Sequence, residues 1–423
     1  MTAEEAKAYL LYGPWPGHPH SLAPIRALMA ALGNPQASLP CVHVAGTNGK
    51  GSACAMTERI LRAAHLRTGL YTSPHLQDFS ERIRLDGRKV SDDALIRAAE
   101  RVKAAAAAIS EPLTAFDAMT AAAFLVFAEA GCDVAVLEVG LGGAYDATNV
   151  IPTPDCALLM NIGLDHTEVL GDTVEQIAAE KAGVIKPGGA VALYAPEAPS
   201  VEALVRRVCR DRGAALAVAD FSRLEVMDEG RAGQRFRYRG GPVLTLPLPG
   251  EHQRRNAAVV LEGIALLRRR GWTIPDAAVA EGLARTVWPA RLELAARSPD
   301  FLIDGGHNPQ CAEALAKSWP AWPAAGRRVL LLGMLSDKDA AGFAARLVPL
   351  ADAVVCTAPV SPRALAPEAL AALVEGCGKT AQLCPGAREA LEAARRAAGP
   401  DGCVLACGSL YLAGELRDLF GLE

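Results

Sequence analysis

A glycine-rich turn with a single lysine follows an apolar segment at Val42 to Ala45, and a helix is predicted to open at Ala53. Glycines let backbone N–H groups close around a polyphosphate, while a lysine and a helix N-terminus add positive charge. The turn is shorter than the usual nucleotide loop, G-x-x-x-x-G-K-[ST]. In that loop the hydroxyl residue directly follows the lysine, whereas here Ser52 comes one position later. We predict an ATP-binding loop; the alternative is an ordinary glycine turn between a strand and a helix.

An acidic side chain, Glu138, stands near the end of the apolar stretch Val134 to Val139. The glycines that follow are not a dinucleotide fingerprint, because Tyr145 takes the place of the last glycine in G-x-G-x-x-G. A carboxylate in such a strand is costly unless it is paired or bound to a metal. Mg²⁺ on nucleotide phosphates takes one or two protein carboxylates. We therefore predict that Glu138 is a magnesium ligand, the alternative being a helix-capping or salt-bridged acid.

Polar residues also follow two other apolar segments. Asp165 and His166 come after the stretch Ala157 to Ile162, and Ser73 comes after Arg67 to Thr72. Imidazole is a common metal ligand, which favours a metal role for His166 over a hydrogen-bonded surface histidine. The Ser73 hydroxyl could serve magnesium or phosphate as well as it could cap a helix.

The elements that must position these residues alternate along the chain. Short apolar strands, including a further one at Ala190 to Tyr194, are separated by Ala- and Leu-rich helical stretches. This alternation predicts an α/β fold with mostly parallel sheets covered by helices, in which ligands bind at the carboxyl ends of the strands. A hairpin is predicted around Asp86-Gly87, a half-exposed antiparallel strand at Arg235 to Arg239, and a long helix from about Arg254 to Arg270.

Composition narrows the class of protein. A length of 423 residues predicts two or three domains at about 150 residues each. A net charge of −4 with 21% charged residues gives no sign of nucleic-acid or membrane partners. The acidic start of the chain lacks the features of a secretory signal, which predicts a cytoplasmic protein. Eleven cysteines without a C-x-x-C pair are expected to be buried thiols, with no disulfide or zinc framework.

The motifs together resemble the folylpolyglutamate synthase and dihydrofolate synthase group of the Mur ligase superfamily. The resemblance extends over nearly the whole chain and rests on the order and spacing of these segments: residues 46–52 (GTNGKGS), 73–75 (SPH), 138–143 (EVGLGG), 146–149 (DATN), 164–166 (LDH), 180–183 (EKAG), 252–257 (HQRRNA), 304–309 (DGGHNP), 333–339 (GMLSDKD) and 407–409 (CGS).

The resemblance implies a P-loop-type ATP-binding domain over residues 1–295, which also holds the acceptor site, and a smaller Rossmann-like domain over residues 296–423. It places the active site in the cleft between them. The implied reaction is ATP-dependent: the acceptor carboxylate takes the γ-phosphoryl group to form an acyl phosphate, and the amino group of L-glutamate then displaces phosphate. The acceptor would be dihydropteroate or folate, with two Mg²⁺ sites and a monomeric enzyme.

Site residues follow from the resemblance by position. The ATP-binding candidates are Thr47, Asn48, Gly49, Lys50, Gly51, Ser52, Asn256, Arg291 and Asp304. The magnesium ligands are Ser73, Glu138, His166 and Lys181, the last in a carbamylated form; an unmodified lysine in a salt bridge is the alternative. The residues with a direct part in catalysis are Lys50, Lys181, His166 and Arg291. The acceptor-binding candidates are His20, Ser21, Leu22, Thr114, Ala115, Phe116, Asp117, Tyr145, Asp146 and Ala147. His307 and Ser409 are candidates for contact with glutamate or nucleotide.

The chain departs from the family pattern mainly around the acceptor. Ala23 and Pro24 replace an acid and a base of the first helix, Ala144 replaces the arginine after the glycines, and Ala290 replaces a glycine. Three readings follow: a bifunctional dihydrofolate and folylpolyglutamate synthase, a ligase that joins an amino acid to another carboxylic acid, and a nucleotide-binding regulator or simple ATPase. The order of the motifs and the retained Thr114 and Phe116 favour the first reading, whereas Ala23, Pro24 and Ala144 favour the second. The set of Lys50, Glu138, His166 and Asp304 argues against the third.

Overall fold

A computed structural model describes residues 1–17 and 21–422. Its strands are β1 (Cys41–Ala45), β2 (Thr68–Tyr71), β3 (Ile83–Leu85), β4 (Arg88–Lys89), β5 (Val134–Glu138), β6 (Cys156–Leu159), β7 (Ala190–Leu193), β8 (Ala215–Val218), β9 (Leu224–Gly230), β10 (Gly233–Tyr238), β11 (Leu244–Leu246), β12 (Glu293–Ala296), β13 (Asp300–Ile303), β14 (Arg328–Leu332), β15 (Ala353–Cys356), β16 (Ala381–Leu383) and β17 (Cys403–Cys407).

The α-helices are α1 (Ala3–Tyr12), α2 (Ala23–Ala31), α3 (Lys50–Ala63), α4 (Asp92–Ala106), α5 (Ala115–Ala130), α6 (Thr167–Leu170), α7 (Val174–Lys181), α8 (Pro199–Asp211), α9 (Glu251–Arg269), α10 (Asp276–Ala284), α11 (Pro309–Ser318), α12 (Ala340–Leu347), α13 (Pro367–Gly376), α14 (Ala387–Ala398) and α15 (Leu410–Phe420). The chain divides into two compact units. The first comprises residues 1–224, 238–240 and 255–286, and the second comprises residues 225–237, 241–254 and 287–423.

The first unit is built on an eight-stranded sheet in the order β4-β3-β2-β5-β1-β6-β7-β8. The strands from β2 to β8 in this order are parallel, and β3 and β4 add an antiparallel edge. The central strands β1, β5 and β6 are buried at every position. Side chains buried on both faces are typical of a parallel sheet covered by helices, and this confirms the predicted α/β class.

Local sequence explains where several elements of the first unit begin and turn. The predicted hairpin is present, and Asp86 (φ 48°) and Gly87 (φ 76°) both have the positive φ of a tight β-hairpin turn. Helix α5 is buried on all sides between residues 117 and 127, so it forms the centre of one helical layer. Its N-terminus is fixed by a reciprocal capping box between Thr114 and Asp117.

The second unit contains a six-stranded sheet in the order β12-β13-β17-β14-β15-β16, in which only β12 is antiparallel to its neighbour. The strands β9, β10 and β11 form a separate three-stranded sheet. In β10 the exposure alternates from Phe236 to Tyr238, as expected for the predicted half-exposed strand. The main segment of this unit begins at Val287, ahead of the boundary predicted at residue 296.

Some predicted limits were wrong. The helix after the glycine turn begins at Lys50 and not at Ala53, because Gly49 adopts the left-handed conformation and itself caps the helix. The long helix begins three residues before Arg254, at Glu251, and ends at Arg269. All eleven cysteines are free thiols, which confirms the absence of disulfides. Within the described residues, no helix has the length and apolar character needed to cross a membrane.

Candidate functional site

The carboxyl ends of four neighbouring strands, β2, β5, β1 and β6, bring the candidate residues of the first unit to one edge of the sheet. Register fixes the alignment: Val44 lies opposite Glu138, and Tyr71 lies opposite Leu137. The glycine turn therefore follows β1 between the Glu138 segment and the segment after β6. Parallel strands end at the same edge, so residues far apart in sequence gather there.

The glycine turn is held in an open arc by its own neighbours. The Asn161 carbonyl accepts the N–H groups of Thr47 (2.7 Å) and Asn48 (3.3 Å), and the Thr47 hydroxyl donates to the Gly163 carbonyl at 3.0 Å. Gly49 has a φ of 86°, and a Cβ there would lie 2.5 Å from Oδ1 of Asn256. Only glycine fits such a position without strain.

Two lysine side chains converge on one backbone carbonyl of this turn. Nζ of Lys50 donates to the carbonyl of Gly46 at 3.1 Å, and Nζ of Lys181 donates to the same oxygen at 3.0 Å. Lys181 is only 4% exposed. Burial, reinforced by the charge of Lys50, lowers the pKa of Lys181 from its ordinary value of 10.5 to about 7. The paired lysines make this a locally cationic site suited to a polyanion.

Glu138, Ser73 and Ser52 are the candidate oxygen ligands of the first unit. The buried Glu138 carboxylate accepts the N–H of Ser73 at 3.1 Å, so the structure brings these two candidates together. The Ser52 hydroxyl is buried and has no hydrogen-bond partner. Carboxylate and hydroxyl oxygens suit Mg²⁺, and a buried hydroxyl without a partner fits a bound cation or phosphate.

His166 is more exposed to solvent than the buried Glu138 and Ser52. It is in the left-handed conformation at the start of α6, its side chain is 48% exposed, and its Nε2 lies 3.9 Å from Oδ1 of Asp165. Over residues 1–17 and 21–422, no group of three or more His, Cys, Asp or Glu side chains is arranged to hold a metal ion.

The segment after Glu138 is fixed by a buried network. The Asp146 carboxylate accepts the N–H groups of Gly140 and Leu141 at 3.0 Å each, and it also accepts the N–H and hydroxyl of Thr148. The Thr148 hydroxyl also contacts Nε2 of the buried His43 at 2.8 Å. Burial lowers the pKa of His43 to about 3, so this imidazole is neutral. The sequence analysis did not identify His43 or Thr148. Thr148 lies in the motif of residues 146–149, and His43 lies in β1, the strand before the glycine turn.

The acceptor candidates differ in how far they are available to a ligand. Thr114 and Asp117 cap α5 with each other, with the Thr114 hydroxyl donating to Oδ2 of Asp117 at 2.7 Å. The Phe116 ring lies against the backbone of Gly140, where an added Cβ would be 2.6 Å from the ring. Tyr145 is 50% exposed.

The remaining acceptor candidates are distributed around the same unit. Ala115 is the first residue of α5, and Ala147 is buried in the short turn after Asp146. Ser21 caps the N–H of Ala23, and Leu22 is partly buried just before α2. His20 lies outside the described residues.

The second unit has its own cluster at the carboxyl ends of β13 and β17. Asp304 is buried and accepts the N–H groups of Leu292 (2.9 Å) and Gly306 (2.7 Å). Burial raises the pKa of Asp304, an effect that the charge of Arg291 opposes. Nδ1 of His307 lies 3.0 Å from the Gly305 carbonyl. In the same unit, Ser409 caps α15 by accepting the N–H of Tyr411.

Arg291 stands on an unusual turn. Its neighbours Ala290 (φ 53°) and Leu292 (φ 46°) are both left-handed, which costs about 1–2 kcal/mol for each non-glycine residue. The positive φ at residue 290 gives a physical reason for a glycine there. In this chain an alanine adopts the same conformation despite its conformational free-energy cost.

Asn161 is a further residue at this sheet edge to which the sequence analysis assigns no role. Its carbonyl holds the N–H groups of the turn, and its Oδ1 is buried without a hydrogen-bond partner. The available signal was its position two residues after the end of β6, at the same sheet edge as the other polar residues. Backbone roles of this kind are not visible in residue types.

Comparison with known proteins covers both units. Residues 44–262 match the Mur ligase middle domain, and residues 290–410 match the Mur ligase glutamate ligase domain. The dihydrofolate synthase/folylpolyglutamate synthase of Mycobacterium tuberculosis is 37% identical over 442 residues, covering 95% of this chain and 90% of that protein.

Solved structures show the same likeness. The Escherichia coli FolC structure in complex with DHPP and ADP has a TM-score of 0.87 and 32% identity, covering 100% of this chain and 98% of that one. A bifunctional folylpolyglutamate synthase/dihydrofolate synthase with Mn, AMPPNP and L-glutamate bound has a TM-score of 0.84 and 31% identity, with coverage of 100% and 98%.

Proposed function

The chain belongs to the Mur ligase family, in its folylpolyglutamate synthase/dihydrofolate synthase group, and on that premise we propose that it is an ATP-dependent ligase that adds L-glutamate to dihydropteroate, to folate, or to both. The observation that carries the proposal is the sheet edge of the first unit. There a glycine turn, Lys50 and a buried carboxylate meet, and Lys181 donates to the same Gly46 carbonyl as Lys50. A γ-phosphoryl group needs such charge neutralisation and positioning more than it needs a covalent nucleophile.

In the proposed reaction a carboxylate oxygen of the acceptor forms a bond to the γ-phosphorus, and the bond from that phosphorus to the leaving ADP breaks. The amino group of L-glutamate then attacks the carbonyl carbon of the acyl phosphate. Phosphate leaves with its electron pair, the nitrogen loses its proton, and an amide remains. Lys50 and the N–H groups of the first turn of α3 would hold the phosphate oxygens in place.

The oxygens of Glu138, Ser73 and Ser52, together with His166, are the proposed holders of Mg²⁺. The ion supplies charge neutralisation for the phosphates. Glu138 is oriented for this role by the Ser73 N–H. The buried, unpartnered Ser52 hydroxyl supports the same assignment.

Carbamylation of Lys181 is part of the proposal. The neutral amine attacks CO₂, an N–C bond forms and a proton is released, which converts a buried cation into an anion. A pKa lowered to about 7 supports this reaction, because about half of the side chain is then neutral near pH 7. The carbamate would become a ligand of a second Mg²⁺.

Asn256, Arg291 and Asp304 are proposed nucleotide contacts, and His307 and Ser409 are proposed contacts to glutamate or nucleotide. Asn256 packs on Gly49 of the glycine turn, which supports its assignment. The acceptor is proposed to contact the segment around Tyr145 to Ala147, which the Asp146 network holds rigid. A monomeric state and a cytoplasmic location stay predictions.

A ligase for another carboxylic acid is the second candidate. Ala144 favours it, because an arginine expected beside the glycine segment is missing there. Its N–H donates to the Glu180 carbonyl, so the backbone at this position is fixed whichever side chain it carries.

The test is a mass-spectrometric product assay with ATP, Mg²⁺ and L-glutamate, with 7,8-dihydropteroate and a reduced folate offered separately. Addition of one glutamate to dihydropteroate and of one or more to the folate is expected. No addition to either by a protein that binds ATP would favour the second candidate. ATP hydrolysis that proceeds equally fast without acceptor and glutamate would contradict both.

A further inference from the structure

The turn that carries Arg291 has a backbone that its own residues do not favour. Ala290 and Leu292, on either side of the arginine, are both left-handed and both fully buried, at 0% and 1% exposure. Residues in such conformations persist only where the surrounding structure holds them, and they are concentrated at functional sites. The question is which groups of the second unit hold this turn.

Three backbone hydrogen bonds fix the turn. The Ala290 N–H donates to Oε2 of Glu293 at 2.8 Å, and the Ala290 carbonyl accepts the N–H of Gly305 at 2.9 Å. The Leu292 N–H donates to Oδ2 of Asp304 at 2.9 Å. Two of these partners are side chains, and of the two only Asp304 is a proposed nucleotide contact.

Glu293 is in turn held by a buried cation. Its Oε1 accepts a hydrogen bond from Nη1 of Arg417, a side chain on α15 that is 1% exposed. The Glu293 side chain is itself 24% exposed. A buried arginine is costly unless its charge is paired. The two carboxylate oxygens of Glu293 thus connect a buried guanidinium on one side with the strained turn on the other.

We propose that Glu293 and Arg417 are positioning residues for Arg291: the ion pair holds the 290–292 turn in its left-handed geometry and so fixes where the Arg291 guanidinium is presented. This inference rests on the proposed role of Arg291 at the nucleotide. It assigns no direct contact between Glu293 or Arg417 and a substrate.

The chemistry of Glu293 makes a selective variant available. Glu293→Gln keeps the shape but has one acceptor oxygen where the carboxylate had two. Its NH₂ group must then face either the Ala290 N–H or the Arg417 guanidinium, both of which are donors. Glu293→Gln therefore loses either the hydrogen bond to the Ala290 N–H or the one to Arg417, while the side-chain volume is preserved.

The experiment measures kcat and KM for ATP in the glutamate-ligation assay for the full-length protein, Glu293→Gln, Arg291→Ala and the double variant. Glu293→Gln is expected to lower kcat by about 10- to 100-fold, the range for a misplaced group at an otherwise intact site. The double variant should be no slower than Arg291→Ala alone, since Glu293 acts through Arg291. Glu313→Gln, at an exposed pair with Lys317 in the same unit, is the matched control with wild-type rates.

A rescue variant separates positioning from general stability. Ala290→Gly removes the penalty for the left-handed conformation, so adding it to Glu293→Gln should restore part of the lost kcat. Thermal denaturation accompanies each variant. If Glu293→Gln does not fold, Arg417→Lys, which keeps the charge and loses the fork geometry, takes its place in the same cycle with a smaller expected loss.

The outcomes separate the two proposals. If the wild-type protein ligates glutamate but Glu293→Gln matches it, or if the losses of Glu293→Gln and Arg291→Ala multiply in the double variant, the positioning role is overturned. Wild-type rates for Arg291→Ala overturn it as well, while glutamate ligation itself stands. Absence of ligation by the wild-type protein overturns the proposed function directly.

Discussion

Replacing Lys181 by methionine should stabilise the protein, and should do so most at low pH. The pKa of Lys181 is about 7 in the folded state, against 10.5 ordinarily. Burial is the main cause of this decrease, and the charge of Lys50 is the second. At 1.36 kcal/mol per pKa unit, the charged amine costs about 5 kcal/mol. This is an upper bound, because Lys181→Met also loses the hydrogen bond to the Gly46 carbonyl, which is worth about 1 kcal/mol.

The pH dependence gives the prediction its sign. Between pH 7 and 10.5 the unfolded chain binds a proton at Lys181 that the folded protein does not, so wild-type stability rises with pH across this window. Below pH 7 the folded protein bears the full free-energy cost of the buried, charged amine, and above pH 10.5 this cost is absent. The advantage of Lys181→Met should therefore shrink by about 3 kcal/mol between pH 6 and pH 9.5.

The assay is thermal denaturation of both proteins at those two pH values in buffers free of CO₂, which keep Lys181 as an amine. For a unit of this size, about 3 kcal/mol corresponds to a change of about 6–12 °C in the Tm difference. Lys317→Met, at a lysine with a 58% exposed side chain, is the control and should show no such change. A Tm difference for Lys181→Met that is the same at both pH values would refute the burial argument.

Three further predictions concern activity. Lys50→Ala should abolish ATP-dependent ligation, because it removes the side chain that we propose binds the phosphates; product formation at the wild-type rate would contradict this assignment. Gly49→Ala should weaken ADP binding measured by calorimetry about tenfold or more, since it forces alanine into φ 86° and against Asn256; unchanged affinity would show that the turn can relax. Ala144→Arg should change the KM for the acceptor and leave the KM for ATP unaltered, because residue 144 directly precedes the proposed acceptor segment at Tyr145 to Ala147; identical acceptor kinetics would refute that assignment.

The sequence was sufficient for the class of fold and for the placement of several candidate residues at one edge of the sheet. Alternation of apolar and helical segments predicted the parallel sheet, because strands buried on both faces must be apolar throughout. The glycine turn, Glu138 and Ser73 each ended a predicted strand, and parallel strands end at one edge, so their proximity could be inferred before any coordinates. The start of α3 was missed because a left-handed Gly49 can cap a helix as well as interrupt it.

Tertiary structure decided what residue types do not encode. The shared carbonyl that joins Lys50 to Lys181 and the burial that lowers the pKa of Lys181 depend on packing between segments about 130 residues apart. The pairing of Arg417 with Glu293 spans 124 residues and belongs to no local motif. Local preferences set strands, turns and caps, whereas desolvation and long-range hydrogen bonds exist only once the chain has folded.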